Sequence, residues 1–241
     1  MKIILAPNPY RDKQFQTALQ AKKILEECGC VTRMCLPFDV DRDFELPRTI
    51  RFTDIRTEIR DADMLICFGG DGTILHTSKI ATQHNLPVLG VNIGTMGFIA
   101  ELESGELELL RKLPKKEYTI ENRSMLDITV TNGTQQTFHE IALNDAVVTK
   151  GAIARVIQIS VCCDGVEATN FSGDGVIVCT ATGSTAYSMS AGGPIIEPSA
   201  KNLLMTPICA HAMLAKSIVL GDVPLEAEVE VRGNVCPYVS R

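Results

Sequence analysis

The sequence predicts an α/β domain followed by an all-β domain, and three observations lead to this fold class. Up to about residue 113, short apolar segments alternate with segments of helical period. Two of the apolar segments run directly into glycine-rich loops. After Pro114, the pattern changes to short strands of alternating polarity, separated by turn residues. Strands that alternate with helices favour a parallel sheet, whereas short alternating strands favour antiparallel pairing.

Composition narrows the class of protein. Of the 241 residues, 45% are hydrophobic and 22% are charged, as is usual for a globular chain. The formal net charge of −6 provides no basic surface for nucleic acid or an anionic membrane, so we expect neither as a partner. No apolar run approaches the roughly 20 residues of a membrane span, which leads us to expect a cytoplasmic protein.

The nine cysteines are expected to be reduced and structural. No two of them form a Cys-x-x-Cys pair, and the four histidines lie elsewhere, so the sequence disfavours a zinc site without excluding one. Cys67, Cys162, Cys163 and Cys179 lie in apolar runs, where small buried thiols are common.

The first domain is predicted to contain four strands and two helices. Gly29 ends the first helix. Residues 37–57 are charged and aperiodic, and we expect them to form a mobile surface connection. The predicted elements are strand 2–6, helix 16–27, strand 31–36, strand 64–68, a helix reaching about residue 83, and strand 86–91.

In the stretch Cys67-Phe-Gly-Gly-Asp-Gly-Thr-Ile-Leu75, a strand turns through three glycines into a helix; we call residues 69–73 the glycine corner. Glycines let the backbone adopt positive φ and approach a ligand, and free N–H groups at a helix start favour phosphate. A carboxylate here is costly unless it faces a metal or a hydroxyl that loses its proton, so Asp71 predicts phosphoryl transfer. The alternative is that Asp71 only caps the helix. The spacing fits neither a Walker P-loop nor Gly-x-Gly-x-x-Gly, which disfavours hydride transfer.

A second glycine loop, Asn92-Ile-Gly-Thr-Met-Gly-Phe98, follows the next strand. Both glycine loops would lie at the carboxyl ends of parallel strands, where ligands bind in open α/β sheets. Asp71 and Asn92 could therefore line one crevice although they are distant in sequence.

The second domain is predicted to be antiparallel and all-β. Its turn signals are Asn132-Gly133, Asp164-Gly165 and Gly173-Asp174-Gly175. The predicted strands are 126–131, 137–149, 156–163, 166–171 and 176–180, followed by a last hairpin of 225–231 and 235–239.

Two polar positions of the second domain have both a structural and a functional interpretation. Asn144-Asp145 ends an apolar run, and an amide beside a carboxylate suits base or ribose recognition. An Asx turn or a bulge explains the pair equally well. Asp174 is either a turn residue or part of the same pocket.

His76 and His211 are solitary, and each is more often a packed or surface histidine than a catalytic group.

The segment that runs from Thr180 to Tyr187 and on to Pro194 brings hydroxyls, glycines and small residues to a strand end. It predicts a polar pocket with one aromatic wall, Tyr187, and with room for a flat ring beside Ala186. The segment lacks the Gly-x-Ser-x-Gly elbow, so a serine hydrolase has little support.

Taken together, these motifs resemble those of the NAD kinase family, and the resemblance covers nearly the whole chain. The glycine corner alone is weakly specific, because diacylglycerol and sphingosine kinases and phosphofructokinases use similar turns. The stretch from Thr182 to Pro194 is much more specific. The motifs that carry the resemblance are Gly69–Thr73, Gly90–Phe98, Leu143–Asp145, Gly173–Gly175, Thr182–Tyr187 and Ser190–Pro194.

The resemblance implies a Rossmann-like, phosphofructokinase-like α/β domain, residues 1–115, and an all-β sandwich domain that binds NAD, residues 116–241. It implies transfer of the γ-phosphoryl group of ATP to the 2′-hydroxyl of the adenosine ribose of NAD, giving NADP. Mg²⁺ or another divalent metal would accompany ATP. The resemblance also implies a homodimer or homotetramer.

Residue roles are likewise implied by the matching motifs. Asp71 would be the catalytic base, and Asn144 and Asp145 would hold the ribose and adenine. Asp174 would meet the nicotinamide side, and Arg155 would reach the dinucleotide, often that of a neighbouring subunit. The remaining NAD or ATP contacts would be Gly72, His76, Thr185, Ala186, Tyr187, Ser188, Met189 and Ser190.

The sequence departs from the family pattern in a few places. Asp145 stands where many members have Glu, which keeps the charge but shortens the reach. Ala181, Ala210 and Ser217 stand where prolines are common. Similar chains continue past the last hairpin with an Asp-Gly turn and a segment that returns to the first domain. We therefore expect a chain ending at Arg241 to be truncated.

Two other functions remain as alternatives. A lipid kinase would share the glycine corner, but it predicts an apolar channel, against which the polar pocket argues. A catalytically impaired NAD(P)-binding module would follow if the truncation is real. The sequence does not decide between NAD and NADH, or between ATP and polyphosphate.

Overall fold

The structure is a computed structural model that describes residues 1–94, 97–151, 156–211, 215–221 and 225–230. The chain divides into two units, Met1–Ile120 and Glu121–Arg241. The first unit contains a parallel sheet with helices and the second contains antiparallel sheets, which confirms the predicted fold class.

The first unit alternates strands and helices as predicted. Its strands and α-helices are β1 (Lys2–Pro7), α1 (Gln16–Glu27), β2 (Val31–Cys35), β3 (Phe52–Thr53), α2 (Ile55–Glu58), β4 (Met64–Gly69), α3 (Asp71–Thr82), β5 (Val88–Asn92) and β6 (Leu102–Glu103). Short 3₁₀ segments cover Lys13–Phe15, Ile59–Asp61 and Ser104–Lys115. Over the described residues the parallel sheet has the order β3-β2-β1-β4-β5-β6.

The central strands of this sheet are buried on both faces, as parallel strands usually are. On one face, Ile3 and Ile66 pack against apolar residues of α1 and of the 3₁₀ helix Ser104–Lys115. On the other, Ile4 and Leu65 pack against residues of α2 and α3. Because β4 and β5 are parallel neighbours, with Gly69 opposite Asn92, the two glycine loops leave the same edge of the sheet.

The prediction for residues 37–57 was wrong in part, because this connection contains β3 and α2. Asp54 caps α2 by accepting a hydrogen bond from the backbone N–H of Arg56 at 3.0 Å. A two-residue edge strand and a one-turn helix are too short to show periodicity, which also explains why β6 was not predicted.

The second unit contains the predicted antiparallel strands. Its elements are β7 (Leu126–Asn132), β8 (Gln135–Ala142), β9 (Asp145–Thr149), β10 (Ile157–Cys163), β11 (Val166–Gly173), β12 (Gly175–Thr180), α4 (Tyr187–Ser190), β13 (Leu203–Ile208), β14 (Ile218–Leu220) and β15 (Leu225–Glu230), with a 3₁₀ turn at Thr182–Thr185. In the described segments the sheet orders are β14-β13-β12-β9 and β11-β10-β15, beside the hairpin β7-β8. A shared cluster includes Ile159, Phe171, Val176 and Met205, so residues of both larger sheets pack into one core.

Two predicted hairpin turns are confirmed, and two connections differ from the prediction. Gly133 and the pair Asp164-Gly165 have positive φ and join antiparallel strands. The predicted strand 137–149 breaks at Leu143-Asn144 into β8 and β9, which belong to different sheets. Asp174 does not form a hairpin turn, because β11 and β12 also belong to different sheets. The second strand predicted for the last hairpin lies outside the described residues.

Several cysteines are buried, as predicted. Burial raises the pKa of the Cys67 thiol to about 12 and that of Cys179 to about 11. Both thiols therefore stay protonated at neutral pH, where they behave as small apolar side chains. Cys162 and Cys163 are only half-buried. No helix within the described ranges is long and apolar enough to cross a membrane.

Candidate functional site

The glycine corner lies where β4 ends and α3 begins. Gly70 is the N-cap of α3 and Asp71 is its first residue. None of Gly69, Gly70 and Gly72 adopts positive φ, so the expectation of left-handed backbone here was wrong. Glycine is needed for space instead: a Cβ placed on Gly69 would lie 2.3 Å from Thr73 Oγ1. Gly70 and Gly72 have no other atom within 4 Å of that position, which leaves their backbone open.

Asp71 does not cap its own helix. Its carboxylate accepts hydrogen bonds from the backbone N–H groups of Phe98 (Oδ2, 2.9 Å) and Ile99 (Oδ1, 3.3 Å). These donors are the last residue of the second glycine loop and the residue after it, so the structure brings the two glycine loops together as predicted. The half-buried carboxylate is therefore fixed from outside its helix, and the capping alternative is wrong.

The second glycine loop is also attached to the corner at its first residues. The backbone N–H of Ile93 donates to the carbonyl of Gly69 at 3.0 Å. The Asn92 side-chain amide donates to both carboxylate oxygens of Glu103 at 3.1 Å, and its buried Oδ1 has no partner among the described residues. The loop is thus held at the sheet edge on both sides of Gly94, which has a φ of 126°.

A cleft of about 170 Å³ opens beside the glycine corner. Asn8 lies in it and donates from Nδ2 to Thr73 Oγ1 at 2.9 Å. The exposed Arg11 supplies a cation at its edge and Phe38 supplies an aromatic wall. The residues lining the cleft are Asn8, Arg11, Phe38, Gly70, Gly72 and Thr73.

Sequence reasoning missed Asn8, Arg11 and Phe38. The available signal was the Pro-Asn-Pro loop that ends β1, since loops at carboxyl strand ends are where ligands bind. This loop can be assigned to the cleft only once β1 is known to pair with β4.

An aromatic cluster holds part of the 37–50 connection near this cleft. Tyr10 stacks on Phe38 with ring centroids 6.3 Å apart, and its hydroxyl donates to Asp41 Oδ2 at 2.8 Å. The ring of Phe38 meets His76 edge-on at 5.5 Å. His76, predicted as a ligand contact, is thus exposed on α3 against an aromatic ring of the cleft.

In the second unit, Asn144 and Asp145 lie where β9 starts. The carbonyl of Asn144 accepts from the backbone N–H of Thr180 at 2.9 Å, and a Cβ on Gly183 would lie 2.1 Å from that oxygen. The buried Oδ1 of Asn144 has no partner in the described part of the chain. Burial raises the pKa of the Asp145 carboxyl, and a hydrogen bond from the Tyr187 backbone N–H offsets part of that rise.

The segment of residues 180–190, which we call the hydroxyl loop, uses most of its hydroxyls internally. Thr180 Oγ1 donates to the Leu143 carbonyl at 2.6 Å and Ser184 Oγ to the Ala181 carbonyl at 2.7 Å. Ser188 Oγ pairs with Thr206 Oγ1 at 2.8 Å. All four of these side chains are almost completely buried. The hydroxyls therefore shape the loop, in contrast to the expectation that they line an open polar pocket.

The remaining predicted residues of the hydroxyl loop differ in exposure. Thr185 and Ala186 are half-buried, while Tyr187, Met189 and Ser190 are exposed on or beside the short helix α4. Ser188, between them, is fully buried. The structure thus brings Asp145 and the hydroxyl loop together, and it leaves one face of that loop accessible.

Asp174 and Arg155 complete the predicted set. Asp174 forms an ion pair with Lys150, with Nζ and Oδ1 2.6 Å apart. The Lys150 backbone N–H also donates to the Asp174 carbonyl at 2.9 Å. Lys150 had not been predicted, and neither had Arg123, whose guanidinium donates to Thr182 Oγ1 at 3.3 Å. Arg155 lies outside the described residues.

No cluster of three or more His, Cys, Asp or Glu side chains capable of holding a metal is found in the described ranges.

Comparisons with known proteins agree with the geometry of both units. The ATP-NAD kinase N-terminal domain model matches residues 3–118, and the ATP-NAD kinase C-terminal domain model matches residues 143–236.

Individual proteins of similar sequence are named NAD kinase. The NAD kinase of Trichlorobacter lovleyi is 42% identical over 192 residues, which cover 78% of this chain and 66% of the relative. The NAD kinase of Ruminiclostridium cellulolyticum is 39% identical over 226 residues, covering 92% of this chain and 76% of the relative. The chain thus spans about two thirds to three quarters of these relatives.

A solved structure shares the fold. Yeast NADH kinase, crystallised with NADH, superimposes with a TM-score of 0.78 at 23% identity, covering 99% of this chain and 76% of the yeast chain. These matches give no support to the lipid-kinase or inactive-module alternatives. The chain belongs to the ATP-NAD kinase family.

Proposed function

We propose that this chain catalyses transfer of the γ-phosphoryl group of ATP to the 2′-hydroxyl of the adenosine ribose of NAD, giving NADP and ADP. The observation that carries the proposal is the Asp71 carboxylate, fixed by two backbone N–H groups at the start of α3 and beside an open glycine backbone. Family membership supports the same reaction.

In the proposed reaction, the ribose 2′-oxygen attacks the γ-phosphorus in line while the bond to the β,γ-bridging oxygen breaks. The hydroxyl proton passes to Asp71, and ADP leaves with the bonding electron pair. Phosphoryl transfer of this kind has a loose transition state, so positioning and charge stabilisation supply most of the catalysis. Asp71 would thus act as much by orienting the hydroxyl as by accepting its proton.

The cleft beside the glycine corner is the proposed place of the triphosphate. Arg11 carries a positive charge there, and Gly70 and Gly72 offer backbone without side-chain obstruction. We propose that Mg²⁺ or another divalent metal enters bound to ATP, because Mg²⁺ in such sites is held largely by substrate phosphates. His76 would contact the nucleotide through the same face of α3.

The proposed NAD site uses the second unit, residues 116–241 of the predicted division, while 1–115 carry the transfer chemistry. Asp145 and Asn144 would hold adenine and ribose, and Asp174 would face the nicotinamide side. Arg155 is proposed as a further dinucleotide contact. The hydroxyl loop would supply the remaining contacts through Thr185, Ala186, Tyr187, Met189 and Ser190, and through the backbone alone of Ser188, whose hydroxyl is bonded to Thr206. On the family resemblance we also propose a cytoplasmic homodimer or homotetramer.

The test is a discontinuous assay for NADP made from NAD and ATP with Mg²⁺. We expect NADP to accumulate in proportion to enzyme, to require ATP, and to stop when EDTA removes the metal. Parallel reactions with NADH, and with polyphosphate in place of ATP, would define the acceptor and the donor.

Two results would overturn the proposal. NAD binding measured by calorimetry without any NADP formation would indicate a binding module. Phosphorylation of diacylglycerol or sphingosine in vesicles, with none of NAD, would indicate a lipid kinase.

A further inference from the structure

Gly97 lies against the carboxylate of Asp71. A Cβ built on Gly97 would lie 2.2 Å from Asp71 Oδ1, 2.9 Å from its Cγ and 3.1 Å from Oδ2. Real Cβ atoms essentially never come within 3.0 Å of another heavy atom, as the first two of these distances would require. Glycine is required here for space beside the carboxylate.

This space lets the backbone reach the carboxylate. The next two N–H groups, those of Phe98 and Ile99, bond separately to the two carboxylate oxygens. Phe98 is 65% exposed, and it bonds to Asp71 through its backbone N–H. A side chain on Gly97 would push the carboxylate away from both donors.

The start of the second glycine loop is fixed to the neighbouring strand. Ile93 is bonded to Gly69, and β5 is paired with β4 as far as Asn92. The loop is thus tied to the strand that leads into Asp71. A clash at Gly97 would be relieved mainly by rotation of the Asp71 side chain.

We infer that Gly97 is a positioning residue for the proposed phosphoryl transfer, acting through Asp71. This inference rests on the proposed function. A carboxylate has about four lone-pair sites, and the two N–H groups occupy one on each oxygen. The remaining sites then point in fixed directions, and one of them receives the ribose hydroxyl.

The kinetic test compares Gly97→Ala with wild type. We expect kcat to fall roughly 10- to 100-fold, because a misplacement of about 1 Å can cost that much, while the KM for NAD stays within about twofold. Gly105→Ala is the matched control in the same unit, since a Cβ there meets no atom within 4 Å. Its kcat should equal that of wild type. Wild-type kcat in Gly97→Ala would overturn the inference.

A stability cycle tests the same contact without activity. Gly97→Ala should lower the melting temperature of the wild type by about 2–4 °C or more. In an Asp71→Ala background the clashing atoms are gone, so Gly97→Ala should cause no further loss. Equal losses in both backgrounds would overturn the inference. If Gly97→Ala alone does not fold, recovery of folding in the double variant supports it, and failure of both variants counts against it.

The two tests separate this inference from the proposed function. If the wild type makes no NADP, the proposed function fails, and with it the catalytic part of the inference. The melting cycle then still decides the Gly97–Asp71 contact. If the wild type makes NADP but Gly97→Ala does so equally well, only the inference fails.

Discussion

The glycine corner and the hydroxyl loop are both rich in small polar residues, but they use them in opposite ways. At the corner, the backbone of Gly70 and Gly72 is open, and the charged group is held by amides of another loop. In the hydroxyl loop, the side chains of Ser184 and Ser188 are buried and bonded within their own unit. The corner therefore leaves its polar groups available to a ligand, whereas most polar groups of the hydroxyl loop form internal hydrogen bonds that fix the conformation of the loop.

The contrast between the two regions requires that the Asp71 carboxylate takes part in the reaction. In Asp71→Asn we expect kcat to fall roughly 10²- to 10⁴-fold, the usual contribution of a general acid or base, while NAD still binds. The measurements are NADP formation and calorimetric binding of NAD. Asp43→Asn, an exposed carboxylate of the same unit, is the control and should behave as wild type. Near-normal turnover in Asp71→Asn would mean that the corner carries no chemistry.

Arg11 tests whether the open cleft holds the donor. Arg11→Ala should raise the KM for ATP about 10- to 100-fold, since a hydrogen bond to a charged group contributes about 1.5–3 kcal/mol. The dissociation constant of NAD should not change. Arg60→Ala removes one exposed charge elsewhere in the first unit and serves as the control. An increase in the NAD dissociation constant instead would assign Arg11 to the acceptor.

A substitution at Ser188 tests whether the buried hydroxyls stabilise the hydroxyl loop rather than bind the ligand. Ser188→Ala should lower the free energy of unfolding by ~1 kcal/mol, the net value of a typical hydrogen bond, and leave NAD affinity unchanged. Ser188→Ala combined with Thr206→Val removes both partners and should recover part of the loss. Chemical denaturation and NAD titration measure the two effects. Weaker NAD binding at full stability would show that this hydroxyl recognises the ligand.

The smallest expected effect is a change in the pH dependence of stability when Asp145 is replaced. Because burial raises the pKa of its carboxyl above the usual 3.8, ionisation in the folded state is disfavoured. Between the pKa of the unfolded chain and the higher pKa of the folded chain, the folded chain binds more protons than the unfolded chain. The free energy of unfolding therefore falls as pH rises through this range. Asp145→Asn should therefore be more stable than wild type at pH 7, with the advantage gone below pH 3.8. Thermal melts across this range would measure it, and a lower melting temperature at pH 7 would contradict it.

The sequence was sufficient for the fold class and for the strand that leads into Asp71. A run of buried residues before glycines is a local pattern, and Met64–Gly69 is buried throughout. The same holds for Gly133, where a local turn signal gave the correct hairpin.

The parts that sequence reasoning missed depend on contacts between distant segments. Asn8 and Arg11 join the cleft only because β1 is the neighbour of β4. The partners of Asp71 are backbone amides about 27 residues away, which no side-chain motif reveals. The direction of the Ser188 hydroxyl likewise depends on Thr206, which lies 18 residues later on β13.

The internal bonds of the hydroxyl loop have a thermodynamic consequence for ligand binding. Ordering a loop and its side chains at the moment of association subtracts from affinity, by about 0.5–1.5 kcal/mol for each flexible side chain fixed. Here Thr180, Ser184 and Ser188 are already fixed by partners present in the folded chain. Their conformational entropy is lost during folding, so that the dinucleotide of the proposed function would meet a loop with little left to order.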